Sequence, residues 1–124
     1  MSIINLTSDN IQKVTSRDEI VMVDCWAEWC SACQEFESVF KKVAEKYPAH
    51  TFAKLDTVAE KEIVAKLGIE NIPTLLLFRG GYLLFQQPGY YEEEKLEDII
   101  KQAESVDMEE VGAHFEAENN QSDD

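Results

Sequence analysis

Short apolar runs alternate with helically spaced apolar residues along this chain, which predicts strands and helices in alternation. Residues 19–26 predict a buried strand, because apolar side chains occupy nearly every position. Successive side chains of a strand point to opposite faces. One face would carry Val21, Val23 and Cys25, and the other Met22, Asp24 and Trp26. Asp24 is the anomaly, because a carboxylate within an apolar strand is costly to ionise and should have a raised pKa.

From Cys33 onward the apolar spacing changes to three and four residues, which predicts an amphipathic helix that Pro48 ends. Its apolar face would consist of Phe36, Val39, Phe40, Val43, Ala44 and Tyr47. The same arguments predict shorter elements elsewhere. These are a strand at 3–6, a helix at 10–16, a strand at 50–55, a helix at 59–67 ended by Gly68, strands at 74–78 and 82–85, and a final helix at 96–103.

The order of these elements predicts the fold class. A strand, a helix, a strand and another helix imply a parallel crossover unit. Gly80-Gly81 between the last two strands predicts a tight antiparallel hairpin. We therefore expect an α/β protein with a central mixed β-sheet and helices on both faces.

Length and composition fit one globular domain, since 124 residues of which 44% are hydrophobic can form a sufficient core. We assign residues 1–104 to this domain and residues 105–124 to an acidic C-terminal tail, flexible because its apolar residues are sparse. In the alternative interpretation the tail docks on its own domain or on a partner. Met108, Val111 and Phe115 could then share one helical face.

The formal net charge of -14 argues against nucleic acid and anionic membranes as partners, because both would be repelled. No apolar stretch reaches the length of a secretory signal core or a membrane span. The expectation is a soluble, cytoplasmic protein.

The stretch Cys30-Ser31-Ala32-Cys33 lies at the predicted start of the long helix and carries the strongest chemistry. A helix start lowers the pKa of a thiol there, since unpaired N–H groups and the positive dipole end favour the thiolate. Cys30 would therefore be the attacking sulfur. Cys33, one turn further in, would resolve a mixed disulfide from behind.

A metal site is the competing interpretation of these thiols. Cys25, Cys30 and Cys33 have the C-x4-C-x2-C spacing of some iron–sulfur ligands, but the fourth cysteine is missing. Cys25 is better interpreted as a small core residue. We expect neither a metal nor a bound cofactor.

The residues around the thiol pair resemble thioredoxin, and the resemblance extends from about residue 3 to about residue 103. It rests on WAEWCSAC at 26–33, Val23-Asp24 before it, and Gly68-Ile69 and IPTLLLF at 72–78 after it. The resemblance implies the thioredoxin fold and a thiol–disulfide oxidoreductase. Such an enzyme would reduce protein disulfides by cycling Cys30 and Cys33 between dithiol and disulfide.

The resemblance also implies roles for two charged residues. Asp24 would lie behind the thiol pair and take the proton from Cys33 as Cys33 attacks the mixed disulfide. Lys54, on the neighbouring strand, would be its electrostatic partner.

A substrate groove is implied as well. Pro73 would follow a cis peptide bond opposite the nucleophile, and the Ile72 backbone would pair with an extended client. The groove would be completed by Trp29 above the thiols, by Ser31 and Ala32 between them, and by the turn at Gly89 and Tyr90. An electron donor resembling thioredoxin reductase would return the pair to the dithiol, in electron transport and cell redox homeostasis, and the protein would be a monomer.

Departures from the family pattern leave alternatives open. Ser31-Ala32 stands where general reductants have Gly-Pro, and Ser31 could donate a hydrogen bond to the Cys30 thiolate. Glu35 and Glu37 add negative charge near the thiols, with exposure expected to screen it. Tyr90 is bulkier than is usual there. The alternatives are a specialised single-client protein or isomerase, and a non-catalytic partner-binding or chaperone module.

Overall fold

A computed structural model describes residues 3–114, and a five-stranded sheet forms its centre. Its strands are β1 (Ile4–Asn5), β2 (Ile20–Trp26), β3 (Thr51–Asp56), β4 (Thr74–Arg79) and β5 (Tyr82–Pro88). The strand order is β1-β3-β2-β4-β5, with β1, β3 and β2 parallel and β4 and β5 antiparallel. The predicted mixed sheet is confirmed.

Helices cover both faces of the sheet, which also confirms the predicted α/β class. They are α1 (Ile11–Thr15), α2 (Ser31–Lys46), α3 (Lys61–Leu67), α4 (Glu93–Glu104) and α5 (108–114). Buried residues of α2 and α4 form one core with Ile20 and Met22 of β2. Val21, Val23 and Cys25 of the same strand contribute to a second core, with buried residues of α1 and α3. The two faces of β2 therefore alternate as its sequence predicts.

Glycines end α3 and form the hairpin as the sequence predicts. Gly68 follows α3 with φ of 67°, a left-handed conformation that glycine adopts without strain. Gly80 and Gly81 have φ of 60° and 88° between β4 and β5. The predicted start of α3 at residue 59 is wrong by two residues. Ala59 belongs to a turn instead, in which its N–H donates to the Asp56 carboxylate.

Polar groups are well paired at the end of the sheet where β2 begins. The Arg79 guanidinium donates to the carbonyl oxygens of Ala103, Glu104 and Val106 at 2.7–3.3 Å, where α4 ends. His50 accepts a hydrogen bond from the Ile20 N–H through Nδ1, and its Nε2 lies 2.8 Å from the Glu104 carboxylate. This end ties the strands to α4 through charged and backbone groups.

Residues 108–114 of the predicted tail form α5, which lies beside the β4–β5 hairpin. Met108 lies over Gly80, 3.5 Å from the position that a Cβ would take there. Val111 lines a surface cavity with Leu83 and Leu84 of β5. Phe115 and residues 116–124 lie outside the described residues, so the boundary at residue 104 and the flexibility of the tail stay predictions.

Within residues 3–114, no helix combines the length and the apolar character that crossing a membrane requires.

Candidate active site

Three segments meet at one edge of the sheet because of the strand register. Cys25 of β2 pairs with Thr74 at the start of β4, and Thr74 pairs in turn with Pro88 at the end of β5. The loop after β2, the segment before β4 and the turn after β5 therefore lie side by side. They carry most of the predicted site residues, Trp29, Cys30, Ile72, Pro73, Gly89 and Tyr90.

Cys30 and Cys33 form a disulfide at the start of α2, with their Cα atoms 5.2 Å apart. Cys30 is the N-cap residue of α2, and its Sγ accepts a hydrogen bond of 3.1 Å from the backbone N–H of Cys33. The same N–H and the positive end of the helix dipole would stabilise negative charge on Cys30 after reduction. The geometry thus favours Cys30 as the thiolate of the pair.

Two large aromatic side chains are exposed at this edge of the sheet. Trp29 is 75% exposed, the highest exposure among the large apolar residues of the described chain. Tyr90 is 45% exposed, and its ring packs edge-on against Phe36 of α2 with 5.8 Å between centroids. Tryptophan and tyrosine are enriched at interfaces, so these two rings are candidate contacts for another molecule.

The peptide bond between Ile72 and Pro73 is cis, as the resemblance implies. Gly89 holds the next turn against it, since the Gly89 N–H donates to the Pro73 carbonyl at 2.8 Å. Gly89 has a φ of 127°, a backbone conformation that residues with a side chain rarely adopt. Ile72 lies outside the sheet, and within residues 3–114 its backbone groups make no hydrogen bond. Its N–H and carbonyl are therefore available to an extended chain.

Ser31 and Ala32 occupy the first turn of α2, and both are exposed. The donor to Cys30 in the disulfide form is the backbone of Cys33. A hydrogen bond from the Ser31 hydroxyl to the Cys30 thiolate stays a prediction for the dithiol form.

Asp24 lies beneath the disulfide, on the face of β2 that α2 covers. Its side chain is fully buried, and neither carboxylate oxygen has a hydrogen-bond partner among residues 3–114. A cavity of about 180 Å³ connects it with Cys33. The cavity is lined by Asp24, Trp26, Ala27, Glu28, Cys33, Gln34, Glu37 and Lys54. Burial raises the pKa of Asp24 to about 7, with Lys54 lowering it and Glu37 raising it further.

Lys54 lies directly opposite Asp24 in the register of β2 and β3. Its ammonium group is bonded elsewhere, at 3.1 Å from a carboxylate oxygen of Glu37 and 4.4 Å from the centroid of the Trp26 ring. This bond to Lys54 lowers the pKa of Glu37. The predicted cation thus stands beside Asp24, but its partner is a second carboxylate.

Glu37 is the site residue that sequence reasoning missed, since only an exposed negative charge near the thiols is expected there. Its side chain is 38% exposed, and it also lines the cavity that Asp24 and Lys54 line. Its spacing from Cys33 could have indicated this position, because residues four apart lie on the same face of a helix.

A comparison with models of known sequence families identifies the family to which the chain belongs. A family model described as Thioredoxin matches residues 2–102 of the chain. The chain belongs to the thioredoxin family.

Individual relatives agree with this assignment. The chain is 42% identical over 110 residues to "Putative thioredoxin 2" of Streptomyces coelicolor, covering 89% of this chain and 82% of the relative. It is 40% identical over 93 residues to a thioredoxin of Alicyclobacillus acidocaldarius, covering 74% of this chain and 89% of the relative. The crystal structure of the Malassezia sympodialis thioredoxin, Mala s 13, matches with a TM-score of 0.74 at 29% identity. That match covers 82% of this chain and 90% of the other.

Membership in the thioredoxin family, together with the paired Cys30 and Cys33, identifies this chain as a thiol–disulfide oxidoreductase that acts on protein disulfides. This confirms the function that the resemblance implied. Cys25 stays outside the chemistry, because its thiol is free and buried in the core on the other face of β2, where burial raises its pKa.

Proposed function

We propose that this thioredoxin-family enzyme reduces protein disulfides with Cys30 as the nucleophile. The Cys30 thiolate attacks one sulfur of a client disulfide, a new S–S bond forms, and the other client sulfur leaves as a thiolate that takes a proton from water. The observation that carries this assignment is the position of Cys30 at the N-cap of α2, with the Cys33 N–H on its sulfur.

Cys33 completes the cycle in this proposal. As Cys33 loses its proton to the Asp24 carboxylate, its sulfur attacks Cys30, the bond between Cys30 and the client breaks, and the client sulfur leaves as a thiolate. Two electrons have then passed from the enzyme to the client, and Cys30 and Cys33 are again a disulfide. The cavity that joins Asp24 to Cys33 supports this role, since it offers the proton a short path.

The client occupies the groove at the site edge. Its extended backbone pairs with Ile72, as a short β-augmentation, while its side chains contact Trp29 and Tyr90. Pro73 and Gly89 shape the floor, and Ser31 and Ala32 border the attacking sulfur. The exposure of Trp29 supports this assignment.

Electrons reach the pair from a flavoenzyme resembling thioredoxin reductase, so that the protein acts in electron transport and cell redox homeostasis. It works as a cytoplasmic monomer without bound cofactor, and neither nucleic acid nor membrane is a partner. The formal net charge of -14 supports the last point.

The test is turnover of insulin with NADPH and a bacterial thioredoxin reductase. Wild type should reduce insulin, Cys30→Ser should not, and Cys33→Ser should accumulate mixed disulfides with client proteins that a reducing gel removes. Cys25→Ser is the matched control and should keep wild-type turnover. An active Cys30→Ser variant would overturn the nucleophile assignment and favour the non-catalytic binding module.

A measured reduction potential separates general from specialised duty. Equilibration with glutathione should give a value near about -270 mV for a general reductant, whereas about -200 mV or higher would favour a single-client enzyme or an isomerase. Ser31-Ala32 and the exposed Tyr90 are the features that favour the second candidate.

A further inference from the structure

Three acidic residues, Asp24, Glu28 and Glu37, line the cavity beneath the disulfide with one ammonium group, that of Lys54. Lys54 stands opposite Asp24 in the strand register, which places both side chains on one face of the sheet. The Lys54 ammonium nevertheless donates to Glu37 at 3.1 Å. Within the described chain, both oxygens of Asp24 are left without a donor.

The surroundings of Lys54 explain why it stays with Glu37. Its aliphatic stem is enclosed, with only 16% of the side chain exposed, while its ammonium lies 4.4 Å from the centroid of the Trp26 ring. A cation over a tryptophan ring is attracted by the ring electrons. Trp26 and Glu37 together therefore hold the ammonium in place.

We propose that Glu37 is a positioning residue for the resolving step, because it holds Lys54 away from Asp24 and so lets Asp24 both bind and release the Cys33 proton. The inference rests on the proposed function. If Lys54 instead paired with Asp24, the carboxylate would be held in its charged form and would be a poor proton acceptor.

The proton balance needs Asp24 in both forms. When a client is released, the Asp24 carboxylate takes the Cys33 proton and passes it through the cavity to water. When the donor flavoenzyme reduces the Cys30–Cys33 disulfide, the Cys33 sulfur leaves as a thiolate and takes the proton from neutral Asp24. A group that serves both directions works best when its two forms are similarly populated at the working pH.

Within residues 3–114, the charged residues that line the cavity with Asp24 come from three segments. Lys54 comes from β3, Glu37 from α2 and Glu28 from the loop after β2, while β4 contributes the apolar Leu75. Lys41 lies one turn further along α2 and is 3.5 Å from Glu37, on the exposed side. Burial is the largest cause of the raised pKa of Asp24, and Lys54 opposes it more strongly than Glu37 supports it. The position of the Lys54 ammonium therefore matters most among these charges.

The test is a pH titration of the Asp24 carboxyl carbon by NMR in the disulfide form of the full chain. In Glu37→Gln, Lys54 is released toward Asp24, and the midpoint should fall by about one pH unit, the lower end of the effect of an adjacent cation. Glu35→Gln is the matched control, with the same change of charge on an exposed residue of the same helix. Its midpoint should stay at the wild-type value. Equal midpoints in the two variants would overturn the proposal.

A second pair of variants separates positioning from plain charge repulsion. If Glu37 acts by holding Lys54, the Glu37→Gln shift should shrink to less than half when Lys54→Met is already present. If the shift is the same in both backgrounds, Glu37 acts only through its own charge, and the positioning role is wrong.

The rate of client release from a preformed mixed disulfide gives the functional readout. Its pH profile should move downward in Glu37→Gln by the same amount as the NMR midpoint and stay unchanged in Glu35→Gln. If wild type reduces no client, the proposed function fails, while the titration still reports on Glu37. If wild type is active and the two variants titrate alike, only this inference fails.

Discussion

The two ends of the central sheet differ in whether their polar groups have hydrogen-bond partners. At the end where β2 begins, Arg79 reaches three carbonyl oxygens, and His50 bonds both the Ile20 N–H and the Glu104 carboxylate. At the site end, Asp24 and the indole N–H of Trp26 are buried without a hydrogen-bond partner in the described part of the chain. Among residues 3–114, the buried side-chain polar atoms that lack a hydrogen-bond partner therefore all lie at the site end.

Apolar surface shows the same contrast. Trp29 and Tyr90 stand exposed at the site end, whereas α5 covers the β4–β5 hairpin near the other end, with Met108 over Gly80. Buried unpaired groups cost stability, and exposed aromatic rings contribute little to it because they stay in contact with water. The difference teaches that this fold concentrates stabilising contacts at one end and keeps reactive groups at the other. Substitutions at the site end should therefore mainly reduce activity, and substitutions at the other end should mainly reduce stability.

The largest effect is expected at the thiol pair. Cys30→Ser should abolish insulin reduction, because serine cannot form the mixed disulfide, and should leave the fold intact. Circular dichroism beside the turnover assay checks both expectations. A variant that loses its fold would contradict the view that the site end contributes little to stability.

Asp24→Asn should separate stability from activity most clearly. The pKa of Asp24 rises from its ordinary 3.8 to about 7 on folding, so the folded protein keeps a proton that the unfolded chain has released. Stability is therefore lost as pH rises from about 4 to about 7, by roughly 4 kcal/mol at about 1.4 kcal/mol per pKa unit. Asparagine has no such titration.

Urea unfolding at pH 4 and at pH 8 measures this difference. The stability of Asp24→Asn relative to wild type should improve by roughly 4 kcal/mol between the two pH values. Turnover at neutral pH should fall by about 10²-fold, as expected for loss of a proton acceptor. A stability difference that does not change with pH would refute the raised pKa of Asp24.

Arg79→Met should show the opposite pattern at the other end of the sheet. Removing a charged donor from three carbonyl oxygens should destabilise the protein by about 2 kcal/mol, with turnover unchanged. Lys101→Met, which removes an exposed charge from the last turn of α4, is the control and should cost much less. Comparable losses of stability in the two variants would show that charge alone, rather than hydrogen bonding, holds this end together.

Trp29→Ala should give the smallest effect, confined to client binding. Loss of the exposed ring should raise KM for insulin about fivefold, equivalent to about 1 kcal/mol, without a change in kcat or in stability. Trp29→Phe should recover part of the affinity. If kcat falls instead, Trp29 acts on the thiols rather than on the client.

Much of this architecture could be predicted from local pattern. The opposite faces of Val21 and Met22 follow from the two-residue period of a strand. The hairpin turn at Gly80-Gly81 follows from the conformations that glycine allows. The cis bond before Pro73 was implied by family resemblance alone, because residue pattern carries almost no information about it.

The rest depended on contacts between distant elements. Lys54 could be placed on a strand next to Asp24, but its bond to Glu37 follows from how α2 packs over β2 and β3. Likewise the spacing of Met108 and Val111 indicates a helical face, while the surface that this face covers is set by the position of the hairpin. Local periodicity predicts helices and strands. Tertiary packing decides which of its charged neighbours Lys54 binds.

The burial of Cys25 on the far face of β2 has a practical consequence. In a variant with serine at positions 30 and 33, Cys25 is the single thiol of the chain, enclosed in the core that α1 and α3 cover. An alkylating reagent can reach it only in molecules that have opened transiently, so the rate of labelling counts opening events under native conditions. The enzyme thus contains a natural reporter of its own opening that requires no introduced cysteine, and substitutions such as Asp24→Asn can be compared by their effect on the labelling rate.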